Sequence, residues 1–182
     1  MVRTVKNIIL PASIILMALL PGCKKEDEQV YSGTATIDNV LYGQSVYYAI
    51  GFSFEETKLL PTHEQPQPDI TVHAITDNEG SVTGAYLDTP VLVPPFYLAG
   101  EFASSTEAIE FYNNLAEVGN HAWVATANPV LENQVWMFKT AAGNYVKFRV
   151  ISITLEDRQS GPYVKMKFEW RLQPGGSTTF TG

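Results

Sequence analysis

Apolar and polar positions alternate along most of this chain, so the dominant sequence period is two, the period of a strand with one buried face. Val46, Tyr48, Ile50, Phe52 and Phe54 alternate with Tyr47, Ala49, Gly51 and Ser53, predicting a strand over 46–54. Ile70, Val72 and Ala74 alternate with Thr71, His73 and Ile75 in a shorter one. Asp77-Asn78-Glu79-Gly80 supplies turn chemistry after it, because glycine takes a positive φ without steric cost. Leu60-Pro61 and Gln65-Pro66-Gln67-Pro68 interrupt these strands and predict a loop, since proline brings no donor to a ladder.

The firmest strands lie in the last third. Val135 to Thr140 leads through Ala141-Ala142-Gly143-Asn144, a turn, into Tyr145 to Leu155, and Tyr163 to Gln173 follows. Val146, Phe148 and Val150 point one way, against Tyr145, Lys147, Arg149 and Ile151. Val164, Met166, Phe168, Trp170 and Leu172 likewise oppose Lys165, Lys167, Glu169 and Arg171, which predicts one core face and one face in water. Only one segment has helical period. Ala108, Phe111, Tyr112 and Leu115 form a stripe within Ser105 to Val118, Ser104 and Glu107 have capping-box spacing, and Gly119 is placed to end the helix. The expected fold is mostly β, an antiparallel sandwich-like single domain with one helix packed on it.

The N-terminus follows different rules. Arg3 and Lys6 precede an apolar run, Ile8 to Leu20, broken only by Pro11 and Ser13. As a helix it would rise about 20 Å, short of the ~30 Å that a bilayer core demands, which is the pattern of a secretory signal. Leu20-Pro21-Gly22-Cys23 then resembles the lipobox of bacterial lipoproteins, with Pro21 in place of the usual small or β-branched residue. That resemblance implies cleavage before Cys23 and lipidation of its sulfur. Residues 1–22 are thus expected to be signal peptide, 23–30 a flexible tether and 31–182 the folded domain. Lys24-Lys25-Glu26-Asp27-Glu28 also looks like the surface-export signal of lipoproteins in the Bacteroides group, implying an anchor in the outer membrane with the domain exposed.

Composition narrows the partners. Without Arg3 and Lys6 the chain keeps 10 basic and 19 acidic residues, a formal charge of −9. No basic cluster exceeds Lys24-Lys25, which argues against nucleic acid. Cys23 is the sole cysteine, so no internal disulfide is possible and the core alone must hold the fold.

Chemical motifs are sparse. There is no nucleophile elbow, phosphate-binding loop or zinc-protease helix, and none of the histidines is spaced with a second ligand in a zinc pattern. The acid pairs Glu55-Glu56 and Glu156-Asp157 fall at strand ends or in loops, where solvated carboxylates are the default. No enzyme is expected. His63 lies in the proline-rich loop, His73 sits opposite the apolar face of its strand, and His121 follows the helix beside Trp123. Met137 and Met166 are soft donors on strands, with Met166 on an apolar face.

The segment Trp136-Met137-Phe138-Lys139-Thr140-Ala141-Ala142-Gly143-Asn144-Tyr145-Val146-Lys147-Phe148 resembles the strand–turn–strand signature of HmuY-like lipoproteins. Two shorter stretches are also similar to that family. One is Tyr48 to Glu55, with its Phe-Ser-Phe-Glu; the other is Asp69-Ile70-Thr71-Val72-His73 with Asn78-Glu79-Gly80 after it, where Pro68 replaces the usual Trp. The resemblance implies a β-rich lipoprotein that binds haem through two His or Met ligands and passes it to a TonB-dependent receptor. No ligand position is carried over by the motifs. From the residues themselves, His121 is the first candidate for the cofactor site, with Met137 and His73 behind it. The alternative is a non-catalytic surface module of the same fold that holds a glycan, a peptide or a protein partner without haem.

Overall fold

The computed structural model describes residues 31–90 and 94–180. The expected signal peptide, Cys23 and the tether lie outside the described residues. Ten strands and one helix are named in chain order: β1 (Ser32–Asp38), β2 (Ile50–Ser53), β3 (Lys58–Pro61), β4 (Thr71–Thr76), β5 (Val82–Asp88), β6 (Phe96–Glu101), α1 (Ser105–Asn114), β7 (Ala127–Val130), β8 (Gln134–Lys139), β9 (Tyr145–Arg158) and β10 (Gly161–Gln173). Every strand pairing among them is antiparallel.

The main sheet runs β1-β10-β9-β8-β6, and a second runs β4-β5-β7. The β2–β3 hairpin joins β4 through Phe52 and Ile70, which exchange backbone bonds of 3.0 and 3.1 Å. One hydrophobic core lies between these layers. Phe54 is fully buried and meets Phe138, Phe148, Phe168 and Trp170 ring to ring, at centroid distances of 5.6, 6.2, 6.2 and 5.9 Å. Such ring pairs add about 0.5–1.5 kcal/mol each beyond the area that they bury. The mostly β, single-domain expectation is met.

Several boundaries move, each for a physical reason. The strand predicted over 46–54 shrinks to β2, because Val46 and Tyr47 sit exposed in a loop whose ends are pinned by Tyr42–Tyr48 backbone bonds. Leu60-Pro61, predicted as loop, closes β3 instead. It can do so because β3 is an edge strand, where a missing donor costs nothing.

The helix keeps its predicted start, with both arms of the Ser104/Glu107 capping box present, but ends at Asn114 rather than Val118. Beyond it, Val118 N–H donates to Thr178 O and Phe180 N–H to Ala116 O, so the C-terminal segment pulls 116–118 into a β-like pairing. Gly119 therefore does not end the helix. It accommodates His121, whose ring lies where a Cβ at position 119 would stand.

The larger correction concerns the face of β9 expected in water. Lys147 is 2% exposed and Arg149 6%, because α1 and the C-terminal segment cover that face. The Lys147 ammonium donates to the carbonyls of Tyr112 (2.7 Å) and Leu115 (2.8 Å) and lies over the Tyr112 and Phe180 rings. It thus satisfies carbonyls at the end of the helix that have no partner within it. Burial, reinforced by the Arg171 charge, lowers its pKa from 10.5 to about 8. Arg149 is held by an ion pair to Glu169. The solvated prediction does hold for Lys165 and Lys167, farther from the helix.

Replacing Lys147 with Met preserves the bulk but removes both donors. K147M is expected to lose about 2–4 kcal/mol of unfolding free energy in chemical denaturation, most of it from the two abandoned carbonyls.

Candidate functional site

A surface rich in packed rings lies on the outer face of the main sheet, beside the region α1 covers. Tyr97 stands on β6, and Tyr145 opens β9. After the helix the chain returns along the edge of β6, where Phe96 and Val124 exchange backbone bonds of 3.0 and 2.8 Å. That pairing sets His121 and Trp123 over the sheet. His121 stacks flat on Tyr97, with centroids 3.7 Å apart and planes 4° from parallel. Trp123 lies 6.1 Å from both Tyr97 and Tyr145, and Lys139 reaches over the Tyr145 ring. All five side chains are half-buried, so the rings form a shelf open to solvent. An open cleft of about 440 Å³ adjoins it along Tyr97, Leu98, Ala122 and Val124.

The candidate residues separate into three environments. Met137 is paired with Tyr97 across the β6–β8 ladder and so shares the shelf's face, yet it is only 1% exposed. Met166 is sealed in the core between the sheets. His73 lies on β4, in the other sheet. Its Nε2 is 2.9 Å from Thr71 Oγ1, and its ring stacks on Tyr86. Burial lowers the His73 pKa, against a smaller opposing pull from Asp88, so the neutral ring is favoured there. His63 is exposed and packs on Tyr48. His121 thus lies on the open ring shelf and His73 on a separate cleft of about 250 Å³ beside Thr71 and Asp88, and neither His73 nor Met137 is brought to His121 as an open pair. Among the described residues no group of three or more His, Cys, Asp or Glu is arranged to hold a metal ion.

A second concave site involves two carboxylates, Glu55, which the sequence placed in solvent, and Asp69. Glu55 accepts from Thr140 Oγ1 at 2.5 Å and from Asn144 Nδ2 at 3.0 Å, so it clasps the β8–β9 turn to the end of β2. Gly143 makes that turn possible with φ +86°. Asp69, 7% exposed, accepts from the backbone N–H of Phe54 (2.7 Å) and from Ser53 Oγ (3.2 Å). Both acids border a cleft of about 320 Å³ walled by Pro66, Pro68 and Pro90. Burial is the main force raising the Asp69 pKa from 3.8 to about 6. The two hydrogen bonds oppose the shift, and the neighbouring Glu55 charge adds to it. Sequence reasoning passed over both roles, although Glu55 and Asp69 each lie inside a stretch quoted for the family resemblance.

Comparison with protein-family models gives no match for this chain, and comparison with curated proteins gives none either.

Asp69 ties stability to pH with a definite sign. Below pH 3.8 the group is protonated whether or not the chain is folded. Between 3.8 and about 6 the unfolded chain has released the proton and the folded one still holds it, so folded stability falls as pH rises through this window. Asp69→Asn keeps an acceptor for Phe54 N–H and cannot ionise. Relative to wild type, D69N is expected to gain on the order of 2 kcal/mol between pH ~4 and pH ~7 in denaturation experiments. A pH-independent difference between the two proteins would rule the linkage out.

Proposed function

We propose that this protein is a surface lipoprotein, anchored in the outer membrane through Cys23, that captures a flat ligand on the Tyr97–His121–Trp123–Tyr145 shelf. Haem is the ligand that the resemblance to HmuY-like lipoproteins suggests, with transfer to a TonB-dependent receptor as the next step. The observation that carries the reading is the flat stacking of His121 on Tyr97, beside Trp123, on an open face that β6 shares with the signature strands β8 and β9. The rings favour a planar apolar ligand, with Trp123, tilted 57° from Tyr97, as the stacking surface, and His121 reaches the iron edge-on, because an imidazole donates along its own plane. Lys139, over Tyr145, is a cation in reach of a ligand carboxylate. The residues fit a porphyrin by stacking and by one imidazole. They do not offer an exposed His/Met pair, so no second axial ligand is assigned.

That missing partner favours a second reading, in which the same shelf holds a glycan, a peptide or a protein without iron. Haemin titration separates the two. Haem capture is expected to sharpen and shift the Soret band at equimolar protein, with the shift lost in H121A and kept in H73A. A spectrum matching free haemin sinks the haem reading. Capture of a non-haem ligand that survives H73A/H121A but not W123A would support the second.

The anchor has its own readout. Cys23→Ser is expected to abolish incorporation of labelled fatty acid and to release the protein from the membrane fraction; a variant still labelled would refute the assignment.

A further inference from the structure

A β-sheet edge presents unpaired N–H and C=O groups, and proteins usually blunt such edges by covering them, shortening them or placing lysine or proline there. Three edges in this fold are treated in these ways. β6 is shielded by the backbone pairing of Phe96 with Val124. β3 has four residues, beginning at Lys58 and ending at Pro61. β7 is equally short and contains Pro129.

β4, the other edge of its sheet, is held at its start by the Phe52–Ile70 bridge but carries no charge or proline over Thr71–Thr76, so β1 is the longer of two edges left unblunted among the described residues. It has seven residues, pairs with β10 on one side only among the described residues, and carries no charge or proline from Ser32 to Ile37. Backbone bonds from Leu172 N–H to Tyr31 O (2.7 Å) and from Asn39 N–H to Val164 O (3.1 Å) mark residues 31 and 39 as facing β10. By the alternation of an antiparallel ladder, Gly33, Ala35 and Ile37 face β10 too, while Ser32, Thr34, Thr36 and Asp38 turn their backbone groups outward.

We propose that this edge pairs with β1 of a second copy of the chain, joining two main sheets into one continuous antiparallel sheet. The register follows from the same alternation. A two-fold axis at Ala35 sets Ala35 against its own copy as a non-hydrogen-bonded pair. Thr34 then meets Thr36, and Ser32 meets Asp38, each pair able to exchange two backbone bonds. Thr34 and Thr36 are exposed and meet as hydroxyl pairs, and no like charges oppose.

The membrane anchor is compatible with this arrangement. In an antiparallel pair the two N-terminal ends of β1 lie roughly 25 Å apart. Residues 23–31 reach up to about 30 Å when extended, so both anchors can enter one membrane.

The test uses the mature chain, residues 23–182, with Cys23→Ser so that no lipid drives association. Light scattering is expected to give twice the monomer mass. T34K/T36K sets lysines against lysines and is expected to halve the mass, as is T34E/T36E by the same logic. An equimolar mixture of the two is expected to return to the dimer mass, and thermal melts monitored by circular dichroism check that each variant is folded. A parent that stays monomeric across the concentration range, a lysine variant that keeps dimer mass, or a mixture that fails to pair each overturns the proposal.

Discussion

The outer layer of this protein hangs on one buried ammonium group. A lysine near the start of a central strand, 2% exposed, is an expensive choice unless its charge and donors are used. Lys147 uses them on the two carbonyls that α1 leaves open, between the rings of Tyr112 and Phe180. That contact caps the helix end, the C-terminal segment then pairs with 116–118, and the chain comes back to β6 at Val124, which leaves His121 on Tyr97. The geometry of the aromatic shelf therefore depends on a residue that takes no part in it.

Glu55 does comparable work between the layers. Its carboxylate binds Thr140 and Asn144, and Asn144 Oδ1 in turn accepts Gly176 N–H at 2.9 Å. Two of the stretches that resemble HmuY-like lipoproteins, Phe-Ser-Phe-Glu and Lys-Thr through Gly-Asn, thus meet in space as one hydrogen-bonded clasp. Their spacing in the chain has a structural use here that is independent of any ligand. The stretch opening with Asp69 joins the same corner, since Asp69 accepts the Phe54 N–H one residue before Glu55.

Much of the fold was legible because burial of one face imposes period two, and the strongest alternation, in β9 and β10, fell on the sheet's central strands. β1, β5, β6 and β7 went unread. In β1 and β7 the apolar positions are few or small, as in Ser32–Asp38 and Ala127–Val130, while β6 opens on the unalternating run Phe96-Tyr97-Leu98, and long-range pairing rather than local pattern makes them strands. Reading Lys147 and Arg149 as solvated failed because alternation reveals which residues share a face, not what later covers that face. The candidate site was half legible. His121 stood out by its place between a helix and a tryptophan, but its partner Tyr97 lies 24 positions earlier, on a strand the sequence did not announce. Glu55 looked like an ordinary surface acid and Asp69 drew no reading of its own, because burial of a carboxylate is a property of the assembled corner.

The position of β1 also has a mechanical side. A lipid anchor on Cys23 would deliver any tug from the membrane to Tyr31 and then along β1. The bonds between β1 and β10 run across the strand axis, from the Tyr31–Leu172 contact to the Asn39–Val164 contact. A pull along the strand loads them together in shear instead of opening them one at a time like a zipper. With an anchor at Cys23, the first strand of the domain would act as a shock-bearing seam, sharing the load across its whole ladder.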